Sequence, residues 1–220
     1  MSFQTADPVS LLLFILFSFL MLAAVIKAIH VTSKSKEWLT NFSILIFLYF
    51  VSAQSGLVIN HFIPFAPFLF LLLFIFSGLF SFSRAGTELA EKLPFALLIG
   101  FQGFRLPLEL ILHHWANLGT VPPTMTWTGQ NWDIISGALA IVAIPFVNKN
   151  RYIARTVNLI GFILLLNVIR VVVLSSPLPF AWQLEKPLLL IAYFPYNLIA
   201  PLFVMPALIG HLITFRKLKR

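Results

Sequence analysis

From position 9 to position 29 the chain carries one charged residue, Lys27, and six further runs are almost as apolar: 42–59, 65–82, 94–114, 132–147, 156–175 and 187–215. A segment of ~20 apolar residues is the length of a helix that crosses a ~30 Å hydrocarbon layer. Within lipid the backbone must satisfy its own hydrogen bonds, so such segments have to be helical. The pattern predicts an all-α polytopic bundle of seven transmembrane helices. Composition closes the other routes: 60% of residues are hydrophobic and 10% charged, whereas soluble chains carry about 25% charged residues. A soluble globule, a coiled coil and a disordered chain are excluded. Seven spans consume about 140 residues and leave about 80 for tails and connections, so positions 1–220 are expected to form a single transmembrane domain. The run 132–147 is short, which implies local thinning or a helix that begins within the protein. The chain has no Cys, which removes disulfides, thiolate metal sites and a cysteine nucleophile.

Lys and Arg set the expected orientation. Lys27, Lys34, Lys36, Arg84, Lys92, Lys149, Arg151, Arg155, Arg216, Lys217, Lys219 and Arg220 all fall at one predicted membrane face, and Lys186 stands alone at the other. The N-terminus is therefore expected outside and the C-terminus in the cytoplasm, in a multi-pass protein of the inner (plasma) membrane. The net charge of +8 reads as topological, with the lipid bilayer as partner and no nucleic acid. A cleavable signal peptide fits poorly, because the basic cluster follows the first apolar run and does not precede it. The first three runs are almost bare while the last four carry most of the polar residues, which argues against an internal duplication.

Charged groups inside a span are costly and mark function by default. In the fourth run Gln102, Arg105, Glu109 and His113 fall on one stripe of a regular helix, with His114 on another face. An i,i+4 pair between Arg105 and Glu109 would neutralise itself and could serve packing alone. The sixth run adds Asn167 and Arg170, the seventh adds Tyr193, Tyr196 and Asn197, and Gln54 aligns with His61 in the second. Asn131 and Asp133 open the fifth run, where capping is the bland reading. These residues converge on the outer half of the membrane, so a polar cavity open to the outside is expected. The inner half looks closed, with His30 and His211 at its interface. Four of the five Trp, Trp115, Trp127, Trp132 and Trp182, sit at the outer face, as an aromatic belt would place them. The longest connection, 115–131, reads from its Pro and Gly clusters as a folded turn over that face.

The run Phe104-Arg105-Leu106-Pro107-Leu108-Glu109-Leu110, followed by Met125-Thr126-Trp127-Thr128-Gly129-Gln130-Asn131-Trp132-Asp133-Ile134, resembles a set of small polytopic bacterial membrane proteins of no known activity. The resemblance extends from about the fourth run to the seventh, taking in Asn167 and Phe194-Pro195, and supplies no chemistry. Retinal proteins need a Lys in the last helix, and this last run has none. The zinc hydrolases of the ceramidase and adiponectin-receptor type use a His-x-x-x-His pair in a late helix, which is absent here.

Three functional classes follow. The first is a carrier or binding protein for a small or lipidic anionic ligand, received by Arg105 and Arg170 with Glu109 balancing charge. The ligand-binding set is then Gln102, Arg105, Glu109, His113, Asp133, Asn167, Arg170, Tyr193, Tyr196 and Asn197. The second is a membrane-embedded enzyme using Glu109, His113, His61 and Asp133 as acid/base groups or metal ligands. No single run supplies a metal pair, and no metal or cofactor is assigned. The third is a sensor or assembly subunit that acts through a membrane-protein partner or a second copy of itself.

Overall fold

The computed structural model describes residues 3–220, and its regular structure is all helical, with no strand among the described residues. In chain order the helices are α1 (Pro8–His30), α2 (Ser35–Gln54), the single turn α3 (Leu57–Asn60), α4 (Phe62–Phe82), α5 (Arg84–Lys92), α6 (Phe95–Phe101), α7 (Arg105–Leu118), α8 (Ile134–Val147), α9 (Arg151–Ser175) and α10 (Met205–Leu218). Among the described residues, five segments are long and apolar enough to cross a membrane: Pro8–His30, Phe62–Phe82, Phe95–Leu118, Arg151–Ser175 and Tyr196–Leu218. Helix α8 is apolar but shorter, and α2 is a 20-residue helix whose first turns are polar.

Two expected runs are divided. The second stops at Gln54, turns through Gly56 at φ 70° and restarts as α3, a backbone angle that glycine adopts without strain. The last run is not helical from 187. Residues 187–195 hold only the 3-10 turn Leu190–Ala192, and helical structure resumes at Tyr196, after Pro195 has interrupted the backbone ladder. Helix α5, by contrast, falls between two apolar runs. It buries Ala85, Gly86, Leu89 and Ala90 and turns its charges outward, the pattern of an interfacial helix.

Local chemistry fixes the ends. The Asp7 carboxylate accepts from Val9 N and Ser10 N with Pro8 in the first turn, a strong N-cap. The Ser10 hydroxyl and amide, with His114 adding to them, hold the Asp7 carboxyl well below the usual carboxylate range. Asn150 caps α9 through Tyr152 N and Ile153 N, and Gly119, at φ 79°, ends α7.

The bundle is inside-out relative to a soluble protein. Val9, Leu12, Leu16 and Phe19 of α1, Leu71 and Leu79 of α4, Val142 of α8 and Ile163 of α9 are exposed, whereas Arg105, Glu109, Asn131, Asn158, Asn197 and His211 are buried. Apolar exposure along whole helices marks a lipid-facing surface. At one end, hydrogen bonds tie the helix termini together through cations. Lys92 Nζ donates to Val31 O at 2.6 Å, Lys217 Nζ to Ala90 O at 2.8 Å and Arg151 Nη2 to Leu218 O at 2.9 Å, while Arg216 reaches Ser81, Ser83 and Thr87. At the other end lie the 119–133 connection and the 176–195 segment, the former held to α9 by Thr124 to Ser175 at 2.7 Å and by Asn167 Nδ2 to Gln130 O at 2.8 Å.

Candidate functional site

Arg105 stands where the fourth span changes its winding. Helix α6 passes through a 3-10 turn, Gln102–Phe104, before α7 begins. Two residues into α7 is Pro107, whose ring cannot accommodate the carbonyl of Gly103 in a regular helix, so the ladder tightens just ahead of it. Across from this turn, α8 comes unusually close. A Cβ on Gly137 would lie 2.5 Å from Leu106 N, and one on Gly103 2.8 Å from Ile141 Cγ1. Two glycines thus let the backbones approach and bring Asp133, one turn before Gly137, over Arg105.

The guanidinium is almost fully satisfied. Arg105 Nη1 donates to Asp133 Oδ1 at 2.9 Å, Ser136 Oγ at 2.8 Å and Gly161 O at 3.0 Å. Ser136 Oγ itself donates to Asp133 Oδ1 at 2.7 Å. Arg105 Nη2 lies 3.1 Å from His211 Nε2. Because a guanidinium only donates, His211 Nε2 must accept, which places the ring hydrogen on Nδ1, 2.9 Å from Asn158 Oδ1. Gly161 makes room for this ring, since a Cβ there would lie 2.9 Å from His211 Cε1.

The expected partner of Arg105 is corrected here. Its ion pair is with Asp133 of the α8 entrance at 2.9 Å, and Glu109 makes no ion pair among the described residues. Glu109 Oε1 instead accepts from Asn131 Nδ2 at 2.8 Å. Nor does Asp133 cap α8, because its side chain turns to Arg105 while its own N–H is held by Asn131 Oδ1 at 3.1 Å. The second cation is elsewhere too. Arg170 is exposed, bonded to Asn167 Oδ1 and set 5.9 Å over the Trp182 ring, as a long side chain extending to a more polar level would be. Asn167 spends its amide on Gln130 O. His113 stacks on Trp127 at 4.1 Å, Tyr193 stacks on Phe3 at 4.1 Å, and Gln102 Nε2 bonds Ala207 O at 3.1 Å. Gln54 and His61 are exposed.

Of the ten candidate residues, the structure therefore gathers Arg105, Glu109, Asp133, Tyr196 and Asn197 around one cavity of about 80 Å³. The rest of its wall is apolar except for Ser176, and includes Leu108, Leu112, Leu165, Val168, Phe203 and Val204. Met125 and residues of the 176–195 segment, Leu188, Leu190 and Ile191, lie in its wall. Where a polar, water-filled mouth was expected, this part of the wall is apolar. The N-terminal stretch is fastened beside it, with Ala6 N donating to Tyr196 Oη at 2.9 Å and Trp115 Nε1 to Ser10 Oγ at 2.9 Å.

Three side-chain atoms of this wall are buried without a hydrogen-bond partner: Glu109 Oε2, Asn197 Oδ1 and Arg105 Nε. Buried polar atoms are normally paired, so three orphans in the wall of one cavity single it out. Asn197 is held by Nδ2 donating to Tyr49 O at 2.6 Å, which leaves its acceptor oxygen unpaired. The charge sum is also reversed from expectation. Arg105 and Asp133 neutralise one another, and the group left over is a carboxyl.

His211, Asn158 and Ser136 were not expected at the site. Five residues after His211 comes the basic end, so it reads as interfacial, and Asn and Ser within apolar runs carry little signal of their own. Among the described residues no three His, Asp or Glu side chains group as metal ligands. Neither known protein families, nor curated proteins, nor solved structures match this chain.

Proposed function

We propose that this chain is a membrane-embedded binding protein or carrier for a small amphipathic molecule, whose apolar body fills the cavity and whose head donates hydrogen bonds to Glu109 and Asn197. The observation that carries the reading is the pair of unpartnered acceptors, Glu109 Oε2 and Asn197 Oδ1, in an otherwise apolar wall. An anionic head loses its main support with Arg170 outside the cavity and Arg105 committed to Asp133. An organic amine is the class that meets the carboxyl left over. In a low-dielectric wall a charge-assisted bond of this kind is roughly twice as strong as a neutral one. Apolar lining with a few convergent polar groups is the usual anatomy of a small-molecule site.

In this reading the bundle crosses the inner membrane seven times, α2 and α8 completing the five longer spans, with the N-terminus outside and the C-terminus cytoplasmic. The cations gathered at one end support that orientation, and the cavity then belongs to the outer half.

The test compares ligands that share a body and differ in their heads. Benzylamine, benzyl alcohol and benzoate are titrated against purified protein in mild detergent, and thermal unfolding is followed. Benzylamine should raise the midpoint most, and Glu109→Gln should abolish the difference while the unliganded midpoint stays close to wild type. Stabilisation by benzoate over benzylamine, or an amine effect that survives Glu109→Gln, refutes the assignment.

A further inference from the structure

A second and larger cavity, of about 570 Å³, lies at the basic end of the bundle. The sequence suggests a closed inner half, yet the cavity lies there, with Leu97, Leu98 and Gly100 in its wall. Its origin lies in how α1 is seated. The first part of α1 packs against α7 and the π-helical turn Ala200–Val204. Nearer the basic end, Ala24 and Ala28 of α1 face Leu97 and Gly100 of the α6 region and Ile209 of α10 across a crevice. Ala24, Ala28 and Gly100 are small, so the gap between the larger side chains is not filled.

The wall is uniform in character except at one point. Every lining residue is apolar but Lys27, which is exposed and makes no ion pair among the described residues. Lys27 is three residues before the end of α1, ~4.5 Å along the axis, at the level where span meets headgroups. On the same rim, Val31 receives Lys92 through its carbonyl. Water gains nothing from an apolar crevice, whereas an acyl chain fills it without loss, and an ammonium at the interface attracts an anionic headgroup.

We propose that this crevice is a binding site for an anionic phospholipid, with an acyl chain between α1, α6 and α10 and the headgroup phosphate on Lys27. The site is separate from the Arg105 cavity and does not rest on its ligand. It selects by combining one cation with a long apolar slot, which a zwitterionic lipid satisfies only in part, because its own ammonium competes for the phosphate.

The test uses detergent-purified protein mixed with phosphatidylglycerol or phosphatidylcholine of identical chains, with retained lipid counted by native mass spectrometry. The wild type should keep one phosphatidylglycerol with a several-fold preference over phosphatidylcholine. Lys27→Gln should erase the preference, and Ala28→Trp, which fills the slot, should remove the retained lipid of both kinds. Lys27 is exposed, so Lys27→Gln keeps the fold and decides the question alone if Ala28→Trp fails to fold. Inorganic phosphate in excess should displace neither lipid, because it lacks the chain. A preference that persists in Lys27→Gln, retention unchanged in Ala28→Trp, or displacement by phosphate overturns the proposal.

Discussion

At the scale of single residues the protein turns on how one cation is shared. Arg105 faces Asp133, Ser136, Gly161 and His211, contributed by α8, α9 and α10. Asp133→Leu should destabilise by about 3 to 5 kcal/mol, because it leaves a buried guanidinium without its counter-charge. Arg105→Met combined with Asp133→Leu should cost less than Asp133→Leu alone, as apolar pairs replace buried ion pairs at little loss. Unfolding of the three proteins in a graded detergent series measures this, and a double variant as weak as the sum of its parts would mean that the residues are not coupled. What was legible here was the presence of charge. Arg105 and Glu109 interrupt an apolar run and cannot be overlooked, yet their partners could not be read from helical spacing. The i,i+4 geometry pairs them on paper, while a 3-10 turn and a neighbouring helix entrance give Arg105 a better acceptor in Asp133. Asn131 and Asp133 look like caps because they begin a helix, and only the neighbouring span shows that both side chains are needed elsewhere.

At the scale of elements, backbone devices place these groups. Pro107 tightens the turn before α7, and the π-helical turn Ala200–Val204 precedes Pro206, which cannot donate to the carbonyl of Leu202. Both irregularities fall beside the cavity, where non-regular helix is often found at functional sites. The closest approach is Gly137 against Leu106. Gly137→Ala should separate α7 from α8 and cost about 1 to 3 kcal/mol, weakening the Arg105 to Asp133 bond with it. An alanine variant as stable as wild type would show that the contact yields freely. Apolar runs revealed most of the helices, because lipid enforces helix along them. The 187–195 stretch is as apolar as a span, but it folds as an irregular segment in the cavity wall, and a segment facing an apolar interior has the same composition as a helix facing lipid. Helix α5 lacks an apolar run and was invisible until its amphipathic pattern was seen docked.

For the whole molecule, the distribution of cations makes a single statement about orientation. Reporter fusions at the 119–133 connection and at the C-terminus should report opposite sides of the membrane, with the C-terminal fusion cytoplasmic, and fusions reporting the same side would refute the seven-span topology. The order in which the bundle is made also follows from where its polar groups reside. Arg105 meets Asp133 28 positions away but His211 only 106 positions on, and Asn197 secures the backbone of Tyr49 across 148. As chains are synthesised from the N-terminus, the earlier helices must enter the bilayer with one guanidinium nitrogen, Arg105 Nη2, still waiting for its partner. The last helix is thus the keystone. A chain ending before it would lack both the His211 acceptor for Arg105 and one wall of the cavity, so pairing of the buried cation and completion of the cavity become the same event.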